Sequence, residues 1–296
     1  MLRVPSSINP VTFQSLQIQD MTFVAYRSDV YPQRNEVFFE EHAVVYVLEG
    51  QKKFVSPTQD LLVQKEQILF FQRGCYSMNE SLDANYRSLV FFFPEKLLKE
   101  FVSQHFRLFQ DVRPAADNSA ESILALTASP AFTTFIQSLL PYFEQKTPFL
   151  NELLRLKFQE LLLHLLERDT SGKLRSILLH IYQGQKTDLD YLMNTYLLKP
   201  LSMAELARLS GRSLSAFKRD FEAHFRTPPG HWIRHKRLEH AHFLLRNTEK
   251  NVSEVSMEIG YESVSHFIKA YKQQYGTTPG RQGGGLKHEM PPNKAG

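Results

Sequence analysis

One cysteine, Cys75, occurs in 296 residues. That excludes an internal disulfide and any zinc site built on several thiolates, and it fits a reducing compartment. Only Arg73 stands near it to favour a thiolate, so Cys75 reads as a small buried hydrophobe rather than a redox sensor. Also missing is any continuous run of about 18 apolar residues, the length a membrane span needs. The first twenty residues carry Asp20 and several Gln and Ser in place of a secretory leader, so a cytoplasmic protein with no membrane partner is expected. No G-x-G-x-x-G or Walker-type sequence occurs, which leaves nucleotide-driven chemistry unsupported. Metal ligands are equally scarce. His42 has Glu40 and Glu41 beside it but no second histidine at ligand spacing, while His105 and His164 read as helix-surface or half-buried residues. No cofactor, no metal and no enzyme activity are expected.

What is present can fold. A chain of this length at 42% hydrophobic buries real cores and suggests about two domains. Its net charge of +4 is uneven: counted along the sequence, residues 1–186 carry −1 and residues 187–296 carry +5. A basic C-terminal segment suits a polyanion partner, although many solvated helical surfaces reach the same value.

Residues 10–112 read as strands. Val44-Val45-Tyr46-Val47-Leu48, Lys53-Phe54-Val55, Ile68-Leu69-Phe70-Phe71 and Ser88-Leu89-Val90-Phe91-Phe92-Phe93 are bounded by Glu49-Gly50, Ser56-Pro57, Arg73-Gly74 and Pro94, as in a small antiparallel barrel or sandwich. Phe91 to Phe93 is too apolar to leave one face wet, so one side should meet the interior and the other a helix or partner. Helices are expected after Pro94, over 95–104, 131–145, 151–167 and 173–182, with a polar loop over 111–122. In the third of these, Leu153, Leu154, Leu156, Leu161, Leu162, Leu163, Leu165 and Leu166 cover more than one face. That helix is either sandwiched or half of a subunit contact.

The segment from 187 says nearly the same thing twice. Each copy has a short helix pattern, a glycine-containing break and a second helix with an apolar stripe. A helix over 189–197 stops before Lys199-Pro200. Ser202 then caps the first copy with Glu205 three residues on, forming a capping box. Leu206 and Leu209 anchor its leading helix, Gly211 makes the turn, Ser213 caps the second helix, and Phe217, Phe221 and Phe225 recur every four residues. After a connecting helix over 231–246, Asn251 to Glu254 resembles the next cap, with Ser253 the capping residue if Glu254 only begins the helix. The second copy turns at Gly260 and repeats the stripe with Phe267, Tyr271 and Tyr275. A loose tail is expected from 282.

Such a unit is a helix-turn-helix, which lays one helix in a DNA major groove. The face opposite the aromatic stripe is then the reading face. Arg212, Ser213, Ser215, Ala216, Lys218 and Arg219 are the candidates in the first copy; Glu262, Ser263, His266 and Lys269 are those in the second, with Lys272 and Gln273 nearer the backbone. Arg can bond two acceptors of guanine, whereas Ser and Ala allow close approach and meet a thymine methyl. Arg234, Lys236 and Arg237 are candidate phosphate contacts. The His231, His235, His240 and His242 group lacks an acid or thiol to complete a metal site and reads as DNA-facing or core polar structure. A connecting helix of about 24 Å spaces the two reading helices for successive major grooves, and their unlike residues imply an asymmetric site.

These residues resemble the DNA-binding domain of the AraC/XylS transcription regulators. The likeness rests on Leu206-Ala207, Ser213, Phe217, Arg219 and Phe221, on Arg237-Leu238, Ala241 and Leu244-Leu245, and on Ile259-Gly260-Tyr261, Ser265, Phe267, Lys269, Tyr271-Lys272, Tyr275-Gly276 and Thr278-Pro279. Arg226 departs from the usual glycine, Ser256 from alanine and Lys269 from arginine. The resemblance implies an N-terminal cupin-like β-barrel for sensing or dimerisation, and RNA polymerase as a partner. Residues 20–180 are similar, more loosely, to the subgroup that includes activators of type III secretion genes.

The expected organisation is a cupin-like β-barrel over 1–112, a helical dimerisation and linker region over 113–186, a tandem helix-turn-helix domain over 187–285 and a loose tail over 286–296. The expected function is a sequence-specific DNA-binding activator that is controlled through its N-terminal domain by a small-molecule or protein effector and forms a homodimer. The alternative is a protein-responsive switch whose N-terminal domain binds a regulatory protein while DNA binding is constitutive. A cavity lined by converging polar groups would favour a small molecule; a filled aromatic interior would favour a protein.

Overall fold

The computed structural model describes residues 1–9, 11–18, 20–27, 34–56, 59–80, 85–110, 122–144 and 147–281. Residues 111–121 of the expected loop and the expected tail, both 282–285 and 286–296, lie outside the described residues. The chain divides into two compact units, Met1–Gln185 and Lys186–Gly296.

The first unit is built on two sheets. β1 (Leu2–Val4), β4 (Arg34–Phe39), β9 (Gly74–Glu80), β6 (Gln51–Val55) and β7 (Asp60–Gln64) pair in that order, with β1 parallel to β4 and the other pairs antiparallel. The second sheet is antiparallel and runs β11 (Ile123–Thr127), β8 (Gln67–Phe71), β5 (His42–Glu49), β10 (Arg87–Phe93), β3 (Met21–Arg27) and β2 (Gln14–Ile18). The expected cupin-like barrel is therefore corrected. Closure needs one continuous ladder of hydrogen bonds, but among the described residues no strand of one sheet pairs with a strand of the other. The sheets instead meet face to face: Phe39 of β4 packs its ring 5.1 Å from Phe71 of β8 and 5.4 Å from Phe92 of β10.

Alternation along β10 explains its unbroken aromatic run. Phe92 faces the space between the sheets, while Phe91 and Phe93 face the opposite way, into a second core shared with helices. Those helices are α1 (Glu95–Gln104), α2 (Pro130–Glu144), α3 (Leu150–Arg168) and α4 (Lys173–Gln183). Phe93 lies 5.1 Å from Phe158 of α3. β11 falls among the expected helices, because a five-residue apolar run has no period that separates strand from helix. Along α3, Leu154, Leu161, Leu162, Leu165 and Leu166 are buried, whereas Leu156 and Leu163 stay exposed. Among the described residues, no helix is long and apolar enough to cross a membrane.

The second unit is helical. α5 (Leu189–Tyr196) starts on Asp188, whose carboxylate accepts the Tyr191 amide at 2.9 Å, and ends before Pro200. α6 (Met203–Leu209) and α7 (Leu214–Phe225) form the first copy, and α9 (Val252–Glu258) and α10 (Val264–Tyr275) form the second. Between them runs α8 (Pro229–Asn247), 19 residues long, hence about 28 Å. Its two ends serve different copies. Trp232 packs 4.6 Å from Phe225 of α7, while Leu238, Ala241, Leu244 and Leu245 share a core with Val255, Ile259, Phe267 and Tyr271.

Candidate nucleic-acid interface

In the first copy, the Ser202 hydroxyl accepts the Glu205 amide at 3.2 Å and the Glu205 carboxylate accepts the Ser202 amide at 2.7 Å, completing the expected capping box. Gly211 takes φ +68°, a left-handed value that glycine adopts without strain. Ser213 then caps α7 by accepting the Ala216 amide at 3.2 Å. Phe217 and Phe221 are wholly buried, and Phe225 packs at a tilt against Phe221, ring centres 4.4 Å apart. The stripe fixes which side of α7 faces solvent.

Ser215, Lys218 and Arg219 are exposed on that side, Ala216 is half-buried, and the Ser213 hydroxyl is engaged in its cap. Arg212 is placed otherwise. Its guanidinium is turned inward, donating through Nη1 to the carbonyls of Thr187 (2.8 Å) and Ser210 (3.0 Å) and through Nε to Asp220 (3.2 Å). Sequence reasoning passed over Leu214, the first residue of α7, which leaves 41% of its surface exposed. Its place directly after the Ser213 cap was the available signal.

The second copy begins on Asn251, not Ser253: the Asn251 carboxamide accepts the Glu254 amide at 3.0 Å, and Glu254 accepts the Asn251 amide at 2.8 Å. Asn is as good a cap as Ser, and only Asn251 has a glutamate three residues on to close the box. Gly260 turns at φ +78°, where a Cβ would lie 2.5 Å from the Leu198 carbonyl oxygen. Ser263 caps α10 through the His266 amide at 3.4 Å. Phe267 and Tyr271 are buried, leaving Glu262, Ser265, His266, Lys269, Lys272 and Gln273 exposed and Ser263 half-buried. Ser265 was not among the expected reading residues, yet an offset of fifty positions, Phe217 onto Phe267, places it on Ser215 of the first copy.

Of the connecting-helix cations, Arg234 and Lys236 are exposed, and Lys236 donates to Glu239 at 2.8 Å. Arg237 is half-buried and acts as an internal clip. It donates to the carbonyls of Leu197 (2.7 Å), Lys199 and Gly260 (3.1 Å), tying the chain ahead of α6 to the turn of the second copy. Burial pushes its guanidinium below the ordinary value and pushes the Tyr261 and Tyr271 phenols up. Asp220 is held at about 2, first by its hydrogen bond from Lys186, then by that from Arg212, with Arg219 adding less. His242 belongs to the core, its Nδ1 within 2.8 Å of the Tyr271 hydroxyl and its ring stacked on Tyr275. Among the described residues, no cluster of three or more His, Cys, Asp or Glu could hold a metal.

Residues 42–177 match the family profile of the ExsA N-terminal regulatory domain, and residues 206–282 match that of a helix-turn-helix domain. The virulence regulon transcriptional activator VirF of Yersinia enterocolitica is 28% identical over 234 residues, spanning 79% of this chain and 85% of that protein. The thermoregulatory protein LcrF of Yersinia pestis is 28% identical over the same shares. The HTH-type transcriptional regulator ExsA of Pseudomonas aeruginosa is 26% identical over 82% of this chain and 86% of its own. The chain belongs to the AraC/XylS family of transcription regulators.

It is accordingly a sequence-specific DNA-binding regulator of the activator kind, with tandem helix-turn-helix units, and not a member of an enzyme family. Two departures of this AraC/XylS regulator from its family pattern have visible physical consequences. Arg226 ends α7 at φ +56°, performing with a side chain the turn that a glycine makes without strain. Ser256 is buried, and its hydroxyl has no hydrogen-bond partner.

Proposed function

We propose that the regulator reads an asymmetric duplex site, with α7 in one major groove and α10 in the next, and that its N-terminal unit controls this reading in the cytoplasm. The observation that carries the proposal is the pairing, in each copy, of a capped helix and a buried aromatic stripe with an exposed polar side. In the first copy, Ser215, Lys218 and Arg219 face the bases, with Ala216 and Leu214 near thymine methyls; in the second, Glu262, Ser265, His266 and Lys269 do so. Arg234, Lys236, Lys272 and Gln273 meet phosphates. Arg212 and Arg237 hold the reading surface from behind. Residues 187–285 form the DNA-reading module, residues 1–112 the regulatory module and residues 113–186 the dimerisation and linker region, with RNA polymerase as the partner that the family implies.

A homodimer accounts for the exposed side of α3. Phe149, Leu156 and Leu163 recur every seven residues, at 67%, 63% and 41% exposure, so they form one apolar stripe on a helix whose other side is already buried. The effector reads as a protein, because rings of Phe39, Phe54, Phe71 and Phe92 fill the space between the sheets and leave a cavity of about 60 Å³. Small-ligand pockets run to roughly 300 Å³ or more.

Selecting preferred duplexes from a random pool with the full chain tests the reading. Two unlike blocks spaced by about one helical turn, roughly 10 base pairs, are expected. A single block, or a palindrome within the reach of one subunit, would defeat it.

A further inference from the structure

Asp220 lies one residue beyond Arg219 on α7 and gathers cations from three parts of the unit. Its Oδ1 accepts from Nε and Nη2 of Arg219 at 3.3 and 3.1 Å. Its Oδ2 accepts from Lys186 Nζ at 2.9 Å and from Arg212 Nε at 3.2 Å. Arg212 also holds the carbonyl of Thr187, the residue after Lys186. One carboxylate thus links the start of the C-terminal unit, the turn of the first copy and its reading helix.

The edge of Arg219 that Asp220 occupies matters. A guanidinium has a side edge, Nε with Nη2, and an end edge, Nη1 with Nη2. Asp220 takes the side edge. The end edge is the one that can donate to both guanine acceptors, N7 and O6, and the Arg219 side chain is 74% exposed to solvent. A long, exposed arginine ordinarily loses rotamer freedom on binding, and a side chain already fixed in its donating pose loses less.

We propose that Asp220 is the positioning residue of the first reading helix, holding the side edge of Arg219 so that its end edge is presented to a guanine. The second copy has Lys269 and Ala270 at the same steps. Lysine is a point charge without a paired edge, and alanine offers no carboxylate to hold it. The first copy therefore discriminates more sharply at this step than the second.

The proposal rests on the reading of Arg219 as a base contact, so its test must separate the two. Using the full chain and a duplex selected from a random pool, affinities are measured for that duplex, every single-base-pair variant of it and random DNA, with Trp232 fluorescence reporting the fold of each variant. Arg219→Ala should lose on the order of tenfold discrimination at one base pair. Asp220→Asn should lose about threefold at that same pair, while binding to random DNA holds or rises because a repelling carboxylate has gone. Lys186→Gln, which leaves α7 untouched, should show a smaller loss at that pair and serves if Asp220→Asn fails to fold. If Arg219→Ala alters no single position, the base-contact reading falls and takes the proposal with it. If Arg219→Ala alters one position but a folded Asp220→Asn leaves it unchanged, or weakens all duplexes by one factor, the positioning role alone is overturned. With Asp220→Asn unfolded, an unaltered preference in Lys186→Gln has the same meaning.

Discussion

The two helix-turn-helix copies agree at their capping boxes and turn glycines and disagree where side chains are spent on something else. Both open on a capping box, Ser202 with Glu205 and Asn251 with Glu254, and both turn on a left-handed glycine, Gly211 and Gly260. Three of the matched steps at which they part carry local costs. Buried Ala207 faces buried Ser256, the α7 end at Arg226 faces the α10 end at Gly276, and Asp220 faces Ala270. The second copy carries a turn at Gly260 that a Cβ would crowd against the Leu198 carbonyl, and an orphaned hydroxyl; the first carries a strained end and a charge network. A repeated fold has thus been loaded with different local costs, so equal substitutions in the two copies should give unequal results.

Trp232 is the single tryptophan and packs on the aromatic stripe of the first copy, so its fluorescence in urea follows the C-terminal unit. The largest effect belongs to Gly260→Ala, which adds a Cβ 2.5 Å from the Leu198 carbonyl at a φ of +78°. A loss of about 3 kcal/mol is expected, against about 1 kcal/mol for Gly276→Ala, where φ is similar but nothing crowds the Cβ. Equal losses would erase the contrast between tight and open turns. Ser256→Ala should gain about 1 kcal/mol by removing an unsatisfied buried hydroxyl, and Ala207→Ser should lose a similar amount. If Ser256→Ala is instead destabilising, the hydroxyl has a partner after all. Arg226→Gly should gain roughly 0.5 kcal/mol, since relief of the left-handed strain outweighs the greater freedom of glycine in the unfolded chain.

The smallest effect depends on pH. The Asp220 carboxyl is held at about 2, below its ordinary 3.8. A group whose pKa is depressed on folding contributes stability that is complete above the unfolded value and is lost as pH falls through the folded one. The midpoint difference between the native chain and Asp220→Asn should therefore be constant above about pH 4 and shrink towards about pH 2. Exposure and salt keep it small. Ala270→Asp in the second copy offers the converse, and a pH dependence there equal to that of Asp220 would show that Lys186 and Arg212 are not its source.

Legibility in the sequence followed the range of the interactions. The aromatic stripe, the Ser202 box and the stop before Pro200 are set by residues three or four apart, and each could be read directly. The Asn251 box is equally local, but Ser253 offers a competing cap, and what separates the two is that Asn251 has a glutamate three residues on where Ser253 has Ser256. Arg212 and Arg237 were legible as cations on a basic segment, not as inward-turned ones. Their acceptors lie at Thr187, Leu197 and Gly260, up to 40 positions away in the case of Arg237 and Leu197. Strand existence was readable in the Val, Ile and Phe runs of β5, β8 and β10. Sheet closure was not, because it depends on which strands share an edge, and the parallel pairing of β1 with β4 joins residues that no hairpin connects.

Phe92 and Phe93 are neighbours in the chain but belong to different cores, one between the sheets and one beneath the helices. The six-stranded sheet is therefore a wall with no dry side to spare: peeling off the helices wets one face of the same strands whose other face supports the five-stranded sheet. The two layers should melt together, and a partner that disturbs one should be felt in the other without any hinge or channel to carry the message.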